Sequence, residues 1–147
     1  MVVFKNILVA VDFNDSADKL LNYAESMADK FGAKLWIVHV AAPDPDFVGY
    51  ETGPQYIRDS RADELKGDHK KLQDLCNTFI SNKIQAEALL IQGSTVETLI
   101  EEINSLHADL LIVGTHHHSF LHNLFSESVS SKLFDRVKTP LLAIPIE

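Results

Sequence analysis

A chain of 147 residues is the length of a single domain, long enough to bury about two-thirds of its extended surface. Hydrophobic residues make up 46% and charged residues 23%, a balance that excludes an intrinsically disordered chain. The formal net charge of −8 argues against a nucleic-acid backbone as the main partner, and no apolar run approaches the ~20 residues of a membrane span.

The opening segment "MVVFKNILVAVDF" holds a short apolar stretch stopped by Asp12, with no small-residue cleavage site, so it is expected to be a buried strand and not a secretion signal. Its apolar part, 6–11, is continuous after Asn6, as in a parallel strand covered on both faces. Asp15 or Ser16 can cap a following helix in which Leu20, Leu21, Ala24, Met27, Ala28 and Phe31 recur with helical period. Gly32 closes that helix and "AKLWIVHV" makes the second strand. The stretch 41–60, rich in proline, glycine and acidic residues, reads as a long loop. A second helix is expected from about 60 to 82, with Leu65, Leu72, Leu75, Phe79 and Ile80 on one face. Cys76 lies among them; one cysteine excludes an internal disulfide, fits a reducing compartment, and reads as a small core residue.

"IQAEALLIQG" supplies a third strand, and "STVETLIEEINSLH" a third helix capped by Ser94 or Thr95. "DLLIVG" is a fourth buried strand, "SVSSKLFDRV" a short fourth helix, and "PLLAIPI" a last strand between Pro140 and Pro145. No linker or internal repeat interrupts the series. Strands alternating with helices predict a single doubly wound α/β domain over 1–147, with a five-stranded parallel sheet and helices on both faces.

In such a sheet, ligands sit beyond the carboxyl ends of the strands, where strand order reverses. "GTHHHSFLHNLFSESVS" follows the fourth strand and leads into a helix whose free N–H groups favour anions, so this loop is the first site candidate. Its chemistry fits poorly. A backbone phosphate cradle uses glycines to close around the anion, and the segment matches neither a P-loop nor G-x-G-x-x-G.

The pieces "NILVAVD", "FGAKLWIVHV", "QGSTVETLI", "ADLLIVGTH" and "SVSSKLFDRVKTPLLAIP", in this order and at this spacing, resemble the universal stress protein family over nearly the whole chain. The resemblance implies strand order 3-2-1-4-5 and a homodimer through the C-terminal strand. Many members bind ATP through G-x2-G-x9-G-[ST] after the fourth strand. Carried onto this sequence, Gly114 matches the first glycine, His117 and Glu127 stand where the second and third belong, and Ser128 matches the hydroxyl. Ser130 lies where a further phosphate-contacting hydroxyl is common, and Val129 falls between the two serines. Asp12 matches the acidic residue beside the nucleoside, and Val40 the residue whose backbone meets adenine. "GTHHHS", with His116 and His117, still resembles a histidine-containing form of the loop.

By this carry-over the adenosine half is kept and the triphosphate half is spoiled. A carboxylate about 4 Å from a phosphate costs roughly 1 kcal/mol in water and roughly 4 kcal/mol at an effective dielectric of 20, the latter about three decades of affinity. His117 adds a Cβ where the backbone should approach closely, and Asp44, Asp46 and Glu51 make the mouth more acidic. Protonated histidines or Mg²⁺ would offset part of this.

Each of these residues also has a purely structural reading. Glu127 suits the positive end of the following helix, and Asp12 suits a cap for the turn after the first strand. His39 reads as a core histidine with a hydrogen-bonded partner. His116, His117 and His118 are consecutive, point in different directions in a loop, and with His122 lack the spacing of a zinc site, so no metal is expected. The expectation is a cytoplasmic stress-response homodimer acting through protein contacts, with no catalytic residues and weak or absent ATP binding. The alternative is an AMP- or ATP-binding sensor with at most slow hydrolysis.

Overall fold

A computed structural model of the chain describes residues 1–11, 17–41, 55–92, 95–115 and 127–145, the side chains of 40–41, 55–62, 64, 92, 95 and 127–131 excepted. The elements run β1 Asn6–Ala10, α1 Ala17–Phe31, β2 Lys34–Ala41, α2 Gln55–Ser81, β3 Ala86–Gln92, α3 Thr95–Ser105, β4 Leu110–Thr115, α4 Glu127–Arg136 and β5 Leu141–Pro145. The strands form one sheet in the order β3-β2-β1-β4-β5, every pairing parallel. This is the doubly wound α/β architecture expected from the alternation of apolar runs and amphipathic segments.

The pleat sorts the central strands between two cores, because successive side chains point to opposite faces. Ile7, Val9, Val11, Leu35, Ile37, Leu110 and Ile112 face α1 and α2, where Leu20, Leu21, Ala24, Ala28, Leu72 and Phe79 meet them. Leu8, Ala10, Val38, Leu111 and Val113 face the other way, against Val96, Leu99 and Ile103 of α3 and Leu133 of α4. Both faces of β1 and β4 are therefore apolar, which explains why these strands read as unbroken apolar runs.

Three helices turn into the following strand by one device. Gly32, Lys83 and His107 each adopt positive φ, at 63°, 67° and 52°. The next residue in each case reaches back five positions: Ala33 N–H to the Ala28 carbonyl (2.9 Å), Ile84 N–H to Phe79 (3.0 Å) and Ala108 N–H to Ile103 (3.0 Å). These are Schellman closures, and the returning residues Ala33, Ile84 and Ala108 are buried as the motif requires.

Two expectations are corrected. Residues 55–60 are helical, so α2 begins five residues earlier than its apolar pattern suggests. Pro54 precedes it in sequence, and a proline is compatible with a helix start because the first turn leaves its N–H groups unpaired. Ile80 does not share the buried face of α2; it is 54% exposed, near the helix end beside the edge strand β3, where the sheet offers no further strand to cover it. Cys76 is buried as expected. Among the described residues, no helix is long and apolar enough to cross a membrane.

Candidate functional site

Strand order reverses between β1 and β4: the chain winds outward through β2 and β3, then returns to β4 on the other side of β1. The crevice beyond the carboxyl ends of β1 and β4 is thus the ligand position that this topology creates. Register brings the two strands side by side, with Ile7, Leu8 and Val9 opposite Leu110, Leu111 and Ile112. Gly114 is buried in β4, opposite Ile144 of β5. Val40 stands at the end of β2 opposite Ile91. Glu127 is the first residue of α4, with Ser128, Val129 and Ser130 in the same opening turn. Asp12, His116 and His117, like the rest of the histidine loop, lie outside the described residues.

The parallel order thus gathers the ends of β1, β2 and β4 at one end of the sheet. The position of Glu127 supports its structural reading. At the first residue of α4 it sits at the positive end of the helix dipole, where a carboxylate is favourable and where an anionic ligand would otherwise be held.

His39, near the end of β2, is one of two buried polar groups among the described residues, 8% exposed. Its Nδ1 lies 3.0 Å from the Val11 carbonyl oxygen. A carbonyl oxygen only accepts, so Nδ1 is the donor. Its Nε2 faces the Asp68 carboxylate of α2 at 3.5 Å, an ion pair whenever the ring carries both protons. The sequence reading of His39 as a core histidine with a hydrogen-bonded partner holds. Asp68 was not singled out by sequence, because "KGDHKKL" is a charged run with nothing to mark one carboxylate as facing inward.

The thiol of Cys76 donates to the Ala86 carbonyl at 2.9 Å, away from the crevice, and burial pushes its pKa up, with Glu87 adding to the rise and Lys34 opposing it. A thiol held neutral is a poor nucleophile. Among the described residues no group of histidine, cysteine or acidic side chains is placed to hold a metal ion. Two surface clefts among them, one beside Lys34, Lys83 and Glu87 and one beside Asn104, Arg136 and Lys138, lie at the amino ends of β2, β3 and β5, opposite the crevice.

The sequence matches the model of the universal stress protein family over residues 4–145. A universal stress protein of Thermus aquaticus is 28% identical over 144 residues, covering 97% of this chain and 99% of its own. A universal stress protein A homolog of Haemophilus influenzae is 30% identical, covering 98% of each. Two solved structures share the fold. A universal stress protein in complex with cAMP matches with a TM-score of 0.67 at 19% identity, over 99% of this chain and 100% of its own. The universal stress protein from Archaeoglobus fulgidus in complex with dAMP matches with a TM-score of 0.62 at 16% identity, over 97% and 99%. At such identities the two structures speak for the fold alone.

Proposed function

The chain belongs to the universal stress protein family, and from that membership we propose a stress-response homodimer that works through protein contacts in a reducing compartment and has lost tight ATP binding. The observation that carries this reading is Glu127 at the first residue of α4. The family's phosphate loop calls for glycine at that place, and a carboxylate there repels the group the loop would hold. His117 stands at the second missing glycine, so two obstructions bear on one triphosphate. No counterpart obstruction falls on the adenosine half: Val40 and Asp12 both match the family pattern.

The remaining affinity on this reading is for adenosine, a ligand that places no negative charge against Glu127. A second reading, an adenine-nucleotide sensor, draws on the relatives of this fold solved with cAMP and dAMP. Calorimetric titration of the full chain with ATP, AMP and adenosine, with and without Mg²⁺, separates the two. The first reading expects ATP no tighter than millimolar and weaker than adenosine. ATP with Mg²⁺ at low micromolar concentration would replace it with the second.

A further inference from the structure

We propose that the free edge of β3 docks an extended segment of a partner protein, apolar along one face and carrying a carboxylate at the end that meets Lys83. The proposal deepens the reading above that the protein works through protein contacts, and it rests on that reading.

β3 ends the sheet on the side opposite β5, so a homodimer built on β5 leaves this edge open. The Leu35 amide donates to the Gln85 carbonyl at 2.8 Å, which fixes the parity of the ladder. Glu87 therefore turns its backbone groups toward β2, while Ala86 and Ala88 turn theirs outward. The Ala86 carbonyl accepts the Cys76 thiol at 2.9 Å. The Ala86 amide and both backbone groups of Ala88 have no strand partner among the described residues. Donors and acceptors at this spacing are matched by a further strand, which supplies its own main-chain groups in return.

Side chains at the start of that edge say what the added strand should carry. A cleft of about 420 Å³ lies between the end of α2 and the first residues of β3. Ile80, Ile84 and Ala86 form its apolar lining, and Lys34, Lys83 and Glu87 its charged one. Ile80 is 54% exposed, whereas the other exposed side chains described on α2 are charged, polar or glycine. An apolar residue of the partner that covers Ile80 removes both from water. Glu87 is ion-paired with Lys34, and the nearby Glu25 accepts the Asn82 amide at 3.1 Å. Lys83 holds no ion pair among the described residues. The cleft thus carries one positive charge in excess, within a chain of net charge −8. That charge selects a carboxylate at this end of the segment.

The test uses the full chain and a blocked fluorescent hexapeptide of alternating valine and threonine, with a glutamate at one end or the other. Affinity is read by anisotropy, and assembly by sedimentation. One of the two glutamate peptides should bind, and its lysine counterpart should bind about threefold more weakly, the scale of one exposed ion pair. Lys83→Gly should erase that difference. Its left-handed backbone suits glycine, so the loss cannot come from unfolding. Ile80→Ser should weaken the peptide about tenfold by removing the apolar contact. Ala88→Pro removes an outward N–H, leaves the bonds to β2 in place, and should weaken it about tenfold at near-native circular dichroism. No binding at millimolar peptide overturns the docking site. Binding unchanged in Ile80→Ser and Ala88→Pro overturns it too, by moving the peptide elsewhere. A lysine peptide as tight as the glutamate one overturns the carboxylate. Assemblies larger than a dimer that disperse in Ala88→Pro make a second copy the occupant and overturn the foreign partner. The protein-contact reading fails separately, in the ATP titration, whatever the peptide does.

Discussion

Asn6 and Asp109 clasp each other where β1 and β4 begin. The Asp109 amide donates to the Asn6 carbonyl at 2.9 Å, and the Asp109 carboxylate accepts the Asn6 amide at 3.1 Å. Its other carboxylate oxygen accepts the Lys5 amide at 2.8 Å. One side chain thus satisfies two backbone donors at the entry to the central strand, in the place of a further ladder bond. Asp109→Ala should lower the unfolding free energy by about 2 kcal/mol, the loss expected for hydrogen bonds to a charged acceptor on a half-buried site. Asp109→Asn keeps one acceptor oxygen and should lose about half as much. Urea unfolding reads both as a lower midpoint at unchanged slope. A midpoint for Asp109→Ala equal to wild type would show that water replaces the carboxylate at no cost.

The three Schellman closures separate conformational cost from packing. Lys83 and His107 hold a left-handed backbone that costs an L-residue about 1 kcal/mol and costs glycine almost nothing. Lys83→Gly and His107→Gly should each raise stability by up to about 1 kcal/mol, since both side chains are exposed and lose little packing. Gly32→Ala should lose about 1 kcal/mol through its positive φ, because a Cβ there meets open space and no clash contributes. If glycine at 83 and 107 destabilises, the side chains contribute more than their exposure suggests.

These closures also mark the limit of what the sequence discloses. Gly32 announces the end of α1, because glycine is the usual residue for that backbone. Lys83 and His107 carry no such signal, and α2 and α3 were bounded only by the fading of their apolar period. The central strands were legible because burial on both faces leaves an unbroken apolar run. The start of α2 was not, since its first turns carry charged residues and show no apolar period in the sequence. At the site, Gly114, Val40 and the turn from Glu127 to Ser130 were placed by matching a family pattern, and the backbone puts them at the expected end of the sheet. Asp68 stayed hidden because its significance lies in a contact with His39, 29 residues away in sequence, which no local pattern encodes.

The thiol of Cys76 predicts an alkaline limb in the stability curve. Burial first, then Glu87, raises its pKa in the folded chain. The folded state therefore keeps its proton to higher pH than the unfolded state. The stabilisation is whole below the unfolded thiol's value of about 8.5 and is lost as pH rises through the raised folded value. Urea midpoints measured from neutral pH to about 10 should fall more steeply for wild type than for Cys76→Ala above about pH 8.5. Parallel slopes would show that the thiol does not contribute to the limb. Native Cys76 should also react with thiol reagents far more slowly than the unfolded chain.

Assembly can be tested at a single amide. β5 is an edge strand, and edge strands offer unpaired backbone groups to a second chain. Leu111 donates to the Pro140 carbonyl at 2.9 Å, which fixes the parity of the ladder: the amides of Leu141 and Ala143 point away from β4. Ala143→Pro removes an outward N–H and leaves the bonds to β4 in place. The wild type should sediment as a dimer and Ala143→Pro as a monomer with near-native circular dichroism. A wild-type mass equal to one chain at all concentrations would sink the homodimer, and an undiminished dimer in Ala143→Pro would move the interface elsewhere.

The decisive experiment on the nucleotide loop restores what it lacks. If His117 and Glu127 spoil a phosphate cradle, then His117→Gly with Glu127→Gly should raise ATP affinity by about two to three decades, the scale of removing one carboxylate from beside a phosphate. The double change should exceed either single one, because both obstruct the same ligand and their effects couple. Adenosine affinity should move little, since it places no charge at the start of α4. Stability should fall slightly: glycine adds chain entropy, and α4 loses a favourable carboxylate at its first residue. A double variant that remains blind to ATP and AMP would mean that Asp12, Val40, Ser128 and Ser130 do not form a nucleotide site in this chain. A double variant that binds adenosine and ATP with equal new strength would place the obstruction at the mouth of the crevice and not at the phosphate.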